Sequence, residues 1–387
     1  MKKTKHRHSD VQSAARGSGN DVREGDKTPS WPETLLAWYG AHRRPLPWRT
    51  PGSAPLSEEA DVYRTVVSEF LLMRTRVRAA EGYFRRFLER FPNWDELARA
   101  PEEEVLRFWQ GIGFYRRATY LHSLARTVVE RHGGKFPRDP RSWNELPGIG
   151  PYLSGLLAAK LLGLPEPAVD GNAQRVVARL FAWEGPKDDP GFVRRVRDLL
   201  RTYIPPELPG TFNEALMELG ETVCTPRSPR CPECPLQDEC AARRSGEPTR
   251  YPRPASPRPR PLEERDVYLC RTEAGILLVR RDTGLLARLW HFPHLSSASA
   301  EAGSCCADFA LIGTVEHAFT HRLWILRLRV PPASSATCGR AREDLVRLLA
   351  EDGWETRWFL PEELVRVPMP RVFRKVEERF APFWQNP

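Results

Sequence analysis

Four cysteines past the middle of the chain restrict most strongly how it folds. They are separated by six, two and five residues, at Cys224, Cys231, Cys234 and Cys240. Four thiolates on one short loop can hold either zinc or an iron–sulfur cube. Structural zinc sites usually combine two tight pairs of cysteines, whereas this loop has a single tight pair. The spacing therefore favours the bulkier iron–sulfur cluster over zinc and over four unconnected thiols.

Apolar residues on the two sides of this loop follow different periods. From Trp31 to about Arg201 they recur every three or four residues, which predicts amphipathic helices. Between Trp324 and Val330 they alternate with mostly polar residues, which predicts a strand with one buried face. Residues 267–281 are predicted to form two strands around a Glu-Ala-Gly turn. The chain is thus expected to join a helical domain to a mixed, strand-rich domain.

Composition limits the class of protein. The chain has 387 residues, enough for two domains, and its net charge of +9 suggests a polyanionic partner. No apolar stretch approaches the roughly 18 residues of a membrane span, and the polar start lacks the apolar core of a secretory signal. We therefore expect a cytoplasmic protein. Residues 1–28 are predicted to be disordered, and residues 242–264, rich in proline and arginine, to form an extended linker.

A glycine-rich turn opens a predicted helix in the run LPGIGPYLSGLLAAKLLG, residues 146–163. Pro151 suits the first helical turn and Gly163 suits the end of the helix. Gly148 and Gly150 leave backbone N–H groups free at the helix N-terminus, which is a favourable place for a phosphate. The alternative is a turn with a purely structural role.

Two carboxylates occupy unusual places in the sequence. Glu69 lies inside the apolar run VVSEFLLMRTRV, and an apolar surround raises the pKa of a carboxyl group. The alternative is a glutamate on the solvent face of an amphipathic helix. Asp170 lies just before a predicted helix in AVDGNAQRVVARL, where the simplest role for an aspartate is to cap that helix.

The glycine turn, the aspartate and the cysteine loop, in this order, resemble the helix-hairpin-helix DNA glycosylases of the endonuclease III superfamily. The segments LPWRT, GIGFYRRA, PAVDGN and FNEALMELG resemble the MutY-type adenine DNA glycosylases, which excise adenine mispaired with 8-oxoguanine. GLLARLWHFP and EHAFTHRLW resemble the C-terminal NUDIX-like module with which that family reads 8-oxoguanine. The resemblance implies a mainly α helix-hairpin-helix glycosylase domain with a 4Fe–4S loop at residues 29–241. It also implies an α+β NUDIX-like domain at residues 265–384.

The resemblance also assigns chemistry to single residues. Glu69 is implied to be the catalytic acid that protonates N7 of adenine, and Asp170 to stabilise the oxocarbenium that forms at C1′. Tyr152 lies where lyase members of the superfamily carry a nucleophilic lysine, and a phenol forms no Schiff base. The chain is therefore expected to be a monofunctional glycosylase that leaves an abasic site.

Further residues are implied to bind the two bases and the DNA. Trp48, Arg49 and Glu214 correspond to the adenine pocket, and Phe114 to an aromatic wedge beside the opposite base, although core packing is the alternative for Trp48 and Phe114. The implied DNA contacts are Met73, Arg74, Thr75, Phe114, Tyr115, Gly148 and Gly150. The implied 8-oxoguanine contacts are Phe319, Thr320 and His321. The implied ligands of one 4Fe–4S cluster are Cys224, Cys231, Cys234 and Cys240.

Two departures from the MutY pattern keep alternatives open. The family carries Gln-Gln-Thr where this chain has Met73-Arg74-Thr75, and archaeal mismatch thymine glycosylases have a more similar Arg-Thr pair. Thr320 replaces a serine, which predicts a weaker preference for 8-oxoguanine. Glu214 and the second domain favour adenine over thymine or uracil opposite guanine.

The predicted function is base excision repair on double-stranded DNA that contains a mispair, by a monomer associated with the nucleoid. Two other classes of function fit these residues less well. A DNA-binding protein without catalysis would need neither Glu69 nor Asp170. A nucleotide hydrolase would need a cluster of glutamates after Pro293, which the sequence lacks.

Overall fold

The computed structural model describes residues 30–49, 55–73, 75–253, 259–297, 308–331 and 335–385. The predicted tail, residues 1–28, and the predicted DNA contact Arg74 lie outside the described residues. None of the helices within these ranges combines the length and apolar character that a membrane span requires.

Helices build the first part of the chain, as the sequence predicts. They are α1 (Trp31–His42), α2 (Glu59–Leu72), α3 (Val77–Arg90), α4 (Trp94–Arg99), α5 (Glu102–Phe108), α6 (Arg116–His132), α7 (Pro151–Leu162), α8 (Gly171–Leu180), α9 (Pro190–Tyr203) and α10 (Pro209–Thr222). Helices α2 to α7 enclose one apolar core, and α1 and α8 to α10 enclose a second. The cleft described below lies where α2, α7, α8 and α10 meet.

Local sequence determines how α7 and α8 are placed. Pro151 is the first residue of α7, and Gly163 ends the helix in the left-handed region with φ of 65°. Gly155, inside α7, lies against the chain that leads into α8, because a Cβ there would approach the carbonyl oxygen of Pro167 to 2.5 Å. This close approach holds the N-termini of α7 and α8 on the same side of the cleft.

The segment predicted to be an extended linker is folded in its first half. Helix α11 (Ala241–Arg244) and a 3-10 turn (Pro248–Arg250) occupy it. Ala242 and Tyr251 are buried in the core shared by α1 and α8 to α10. The prediction of an extended linker is wrong for these residues, because apolar side chains between the prolines and arginines pack against the helical part.

Two sheets follow this segment. One contains β1 (Leu262–Tyr268), β4 (His294–Ser296), β5 (Ala310–Ala318) and β6 (Leu323–Val330), in the order β4-β1-β6-β5, and only its β1–β6 pair is parallel. The other contains β2 (Arg271–Thr272), β3 (Gly275–Arg280) and β7 (Glu355–Phe359). Helices α12 (Ser335–Glu351) and α13 (Arg371–Gln385) complete the described residues.

The strand predictions are confirmed with one difference. In β6 the side chains of Trp324, Leu326 and Leu328 are buried and those between them are partly exposed, as the alternation predicts. The Glu-Ala-Gly turn joins β2 to β3. The residues before β2 belong to β1, which pairs in the other sheet, so residues 267–281 contribute to both sheets rather than to a single hairpin.

Three consecutive residues of the strand-rich part make contacts with the helical part. Arg288 donates to both carboxylate oxygens of Glu102 in α5, at 2.6 and 2.8 Å. Leu289 is fully buried in the core of α2 to α7. The indole N–H of Trp290 donates to Glu103, at 2.5 Å. An apolar anchor flanked by two polar contacts therefore holds the second part against α5.

We expect Leu289→Ala to lower the free energy of unfolding by roughly 2–5 kcal/mol, because it removes a buried side chain from a packed core. Leu311→Ala, at a side chain that is 51% exposed, is the matched control and should change stability by about 0.5 kcal/mol or less. Urea unfolding of both variants measures the difference. Equal effects at the two positions would show that Leu289 is not an anchor.

Candidate active site

A cleft of about 1760 Å³ is lined by both parts of the chain. From the helical part, Glu69, Tyr152, Asp170 and Glu214 line it. From the strand-rich part, residues 319–321 line it. The structure therefore brings together the predicted catalytic residues and the predicted 8-oxoguanine contacts, which lie up to 252 positions apart in the sequence, from 69 to 321.

Glu69 is buried in the last turns of α2, and its side chain meets the cleft at one edge. The residue is 8% exposed, so the alternative of a glutamate on a solvent face is wrong. Burial raises the pKa of Glu69 to about 7, while the charge of Lys160 and a hydrogen bond from Tyr152 oppose this rise. Glu214 and Asp170 raise it further through charge repulsion. A carboxyl group with this pKa is protonated in a large fraction of molecules at neutral pH.

Tyr152, in the first turn of α7, is the hydrogen-bond partner of Glu69. Its hydroxyl donates to Oε2 of Glu69 at 2.9 Å and lies 3.3 Å from the sulfur of Met217. Burial and the nearby carboxylates raise the pKa of Tyr152 well above its usual value. The side chain is therefore a neutral donor that fixes the orientation of the acid.

Asp170 is both the cap of α8 and a residue of the cleft. Its Oδ1 accepts from the backbone N–H groups of Asn172 and Ala173, at 2.9 and 2.7 Å, and its Oδ2 from the side chain of Asn172 at 2.8 Å. Burial raises the pKa of Asp170, and these three donors oppose the rise by binding the charged form. The capping role and a place beside the reacting sugar are thus compatible.

Glu214, in α10, is held from behind the cleft. The ammonium group of Lys160 donates to its Oε1 at 2.5 Å, and the hydroxyl of Tyr39 donates to its Oε2 at 2.9 Å. Burial alone would raise the pKa of Glu214, but Lys160 and Arg49 outweigh burial, so the pKa is lowered. Glu214 is therefore an ionised acceptor beside Glu69, which is protonated in a large fraction of molecules at neutral pH.

A second group of ion pairs lines the cleft on the same side as Glu214. Arg49 donates to Glu218 at 2.8 Å, and Arg44 donates to both carboxylate oxygens of Glu218, at 2.7 and 2.9 Å. Glu218 is 1% exposed, so these two arginines compensate a fully buried charge. Trp48 is also buried, and its ring packs edge-on against Phe84. It lines the cleft as well, so Trp48 both belongs to the core and forms part of the pocket.

The predicted opposite-base wedge lies on the surface of the cleft. Phe114 is 46% exposed with a φ of 49°, so the core-packing alternative is wrong for this side chain. Met73 and Thr75 also line the cleft. Tyr115 lines it too, and its hydroxyl approaches the carbonyl oxygen of Met369 in the strand-rich part at 3.5 Å.

The two glycines of the α7 turn differ in their surroundings. Gly148 has a φ of 79°, and a Cβ there would lie 2.6 Å from the ring of Phe70. Its requirement for glycine is therefore structural. Gly150 is exposed, and a Cβ there would meet nothing within 4 Å.

The predicted 8-oxoguanine contacts occupy the turn between β5 and β6. Phe319 is partly buried and packs edge-on against Trp324 at a ring distance of 4.9 Å, while its backbone N–H donates to the carbonyl of Arg322. Thr320 and His321 are exposed at the tip of the turn. The packed ring of Phe319 thus holds the turn in place, and the side chains of Thr320 and His321 line the cleft.

The cysteine loop fits the predicted cluster. Two buried arginines of α8 face it: Arg179 donates to the sulfur of Cys224 at 3.3 Å, and Arg175 donates to the carbonyl of Cys224 at 2.8 Å. Buried cations require an anionic partner, which a cluster held by four thiolates supplies. Among the described residues, no three acidic, histidine or cysteine side chains are placed to bind one metal ion. Bound there, the cluster crosslinks residues 224–240.

Arg175 also connects the loop to the cleft. It donates to Oδ1 of Asn172 at 2.7 Å, and Asn172 in turn donates to Asp170. The position of Asp170 therefore depends on the folded cysteine loop, through two side chains.

Sequence reasoning missed several residues of this site, chiefly Lys160, Tyr39, Arg44 and Glu218. Lys160 carried a signal of the kind that marked Glu69, since it is one charge inside the apolar run GLLAAKLLG. Tyr39, Arg44 and Glu218 carried none, because their partners lie about 175 positions away in the sequence.

Three family models match the chain. A model described as HhH-GPD superfamily base excision DNA repair protein matches residues 67–201, and a NUDIX domain model matches residues 267–379. The iron-sulfur binding domain of endonuclease III matches residues 224–240, which begin and end at a predicted ligand. These matches confirm the predicted fold class and the 4Fe–4S cofactor.

Relatives of known activity agree with these models. The adenine DNA glycosylase of Mus musculus is 31% identical over 89% of this chain and 77% of its own length. The adenine DNA glycosylase of Mycolicibacterium smegmatis is 40% identical over 56% of this chain and 71% of its own. A solved thermostable thymine-DNA glycosylase is 25% identical, covers 55% of this chain and 95% of its own, and superposes with a TM-score of 0.47, too low to bear on the base removed. This chain belongs to the family of the adenine DNA glycosylases, DNA-binding enzymes of base excision repair that hydrolyse N-glycosyl bonds.

Proposed function

We propose that this chain removes adenine mispaired with 8-oxoguanine or guanine, as a monomer that leaves an abasic site. The observation that carries this proposal is the burial of Glu69 in the wall of the cleft, which raises its pKa to about 7. Adenine leaves deoxyribose slowly unless its N7 is protonated, and Glu69 holds a proton near neutral pH. Thymine, the alternative substrate, offers no N7 to this acid.

The remaining carboxylates supply complementary roles. Asp170, held by three N–H groups, faces the sugar and stabilises the cation that develops at C1′. Glu214 is ionised and accepts from the exocyclic amino group of the flipped adenine. Trp48 and Arg49 complete the pocket around the base.

The base opposite the adenine is assigned to the side of the cleft formed by the β5–β6 turn and Phe114. Thr320 and His321 face it from the β5–β6 turn, and Phe114 extends into it from the helical part. Thr320 keeps a hydroxyl group that can bind 8-oxoguanine, with a methyl group that a serine lacks. We infer a preference for 8-oxoguanine over guanine that is weaker than a serine at this position would give.

Single-turnover cutting of four duplexes, containing A·8-oxoG, A·G, T·G and T·8-oxoG, tests the choice of base. We expect adenine release from the first two, faster opposite 8-oxoguanine, because Glu69 and Glu214 match the N7 and amino group of adenine. Faster release of thymine than of adenine would contradict the proposal and would indicate a mismatch thymine glycosylase, as the Arg-Thr pair at positions 74 and 75 suggests.

Glu69→Gln should slow adenine release by about a hundredfold to ten-thousandfold, because an amide cannot donate the proton. Duplex binding should persist, and Glu145→Gln, at an exposed glutamate, should leave the rate unchanged. For the unsubstituted enzyme the rate should fall as pH rises through about 7, because Glu69 then loses its proton. A variant that keeps its normal rate would exclude Glu69 as the acid.

Borohydride trapping tests whether the enzyme is monofunctional. Tyr152 cannot form a Schiff base, and the ammonium group of Lys160 is bound to Glu214 behind the cleft, so we expect no covalent complex with abasic DNA. Lys187 also lines the cleft. A trapped complex would contradict this assignment, and its loss in Lys187→Met would identify Lys187 as the nucleophile.

A further inference from the structure

We propose that Lys160 is a positioning residue that keeps Glu214 a permanent hydrogen-bond acceptor, and so selects 6-amino purines over 6-oxo purines, an inference that rests on the proposed function. Lys160 lies two turns after Tyr152 in α7. Its side chain is 11% exposed and is not among the residues that line the cleft. It therefore acts on the base through Glu214 and not by direct contact.

The geometry fixes Glu214 from one side. Lys160 occupies Oε1 and Tyr39 occupies Oε2, so both donors approach from the protein interior. The remaining lone pairs of the carboxylate are directed to the cleft that Glu214 lines. A carboxylate bound in this way is preorganised to accept from a ligand.

The fold makes room for this lysine. Gly210, at the start of α10, lies so close to α7 that a Cβ there would be 3.2 Å from Cγ of Lys160. The carbonyl of Lys160 accepts from the backbone N–H of Leu56 at 2.9 Å. The side chain of Lys160 thus lies between α7 and α10 and reaches Glu214, and the hydrogen bond from Leu56 fixes the backbone of Lys160.

Charge explains why the pocket needs a cation at this place. The titratable groups that act on Glu69 are Tyr152 and Lys160 from α7, Asp170 from the start of α8, and Glu214 from α10. Three of the five groups, counting Glu69 itself, are carboxyls. Lys160 lowers the pKa of both Glu69 and Glu214. By charge repulsion, Glu214 raises the pKa of Glu69, and both carboxylates raise the pKa of Tyr152. Lys160 thereby keeps the negative charge on Glu214, and that charge in turn favours the proton on Glu69.

The choice of purine follows from this assignment. An ionised carboxylate only accepts, which suits the exocyclic amine of adenine. Hypoxanthine and guanine carry a carbonyl oxygen at the same ring position, so two acceptors would face each other. If Glu214 were protonated it would donate to that oxygen, and the discrimination would weaken.

The test compares Lys160→Met with Lys160→Arg, and with Lys135→Met as a control at an exposed lysine. Single-turnover release of adenine and of hypoxanthine, both opposite 8-oxoguanine, is measured across neutral pH. For Lys160→Met we expect the adenine-to-hypoxanthine rate ratio to fall on the order of tenfold or more. The pH at which release declines should rise, since a cation that lowers the pKa of Glu69 is lost. Arginine should restore both values.

A ratio and a pH profile that stay at wild-type values in Lys160→Met would overturn the inference. Should that variant fold poorly, Glu214→Gln and the double variant replace it. With glutamine as partner, loss of Lys160 should no longer change the base ratio, and an undiminished change would show that Lys160 does not act through Glu214.

Direct titration of the Glu69 carboxyl in DNA-free protein tests the role of Lys160 separately from the proposed function. If the unsubstituted enzyme releases no adenine, the proposed function fails. The titration then judges Lys160 alone: an upward shift in Lys160→Met supports the charge assignment, and an unchanged midpoint contradicts it.

Discussion

Burial of one carboxyl group is the constraint on which the site depends. Glu69 lies where α2 meets α7, and its hydrogen-bond donor in the cleft is the neutral hydroxyl of Tyr152. An acid in this setting keeps its proton because ionisation would leave a charge away from water. The close contact of Gly155 in α7 with Pro167 and the two apolar cores of the helical part keep Glu69 away from water. The scaffold is thus organised around a group that would ionise at the surface.

Three carboxyls in one cleft take different roles because their partners differ. Glu69 has a neutral donor, Asp170 has the N–H groups of a helix start, and Glu214 has an ammonium group. The same chemical group is thereby a proton donor, a stabiliser of positive charge and an acceptor. The cysteine loop contributes through Arg175 and Asn172, which connect it to Asp170.

The sequence predicted the parts of this site that have local signals. Glu69 was marked by its apolar run, Asp170 by its place before a helix, and the cluster by cysteine spacing. The resemblance to a family supplied the pocket and the second domain. What remained hidden depends on contacts between distant segments: Tyr39 with Glu214, Arg44 with Glu218, and Leu289 with a core built from another part of the chain. No local pattern encodes such partners. The folded first half of the linker escaped prediction because two buried side chains outweighed its composition.

Infrared difference titration of DNA-free enzyme, with Glu69→Gln to identify the band, measures the central quantity directly. The account predicts that the carboxyl of Glu69 loses its proton at a pH of about 7, because burial disfavours the charged form. A midpoint near 4.5, the ordinary value for a glutamate in water, would contradict it, since the group would then hold no proton to give an everted adenine.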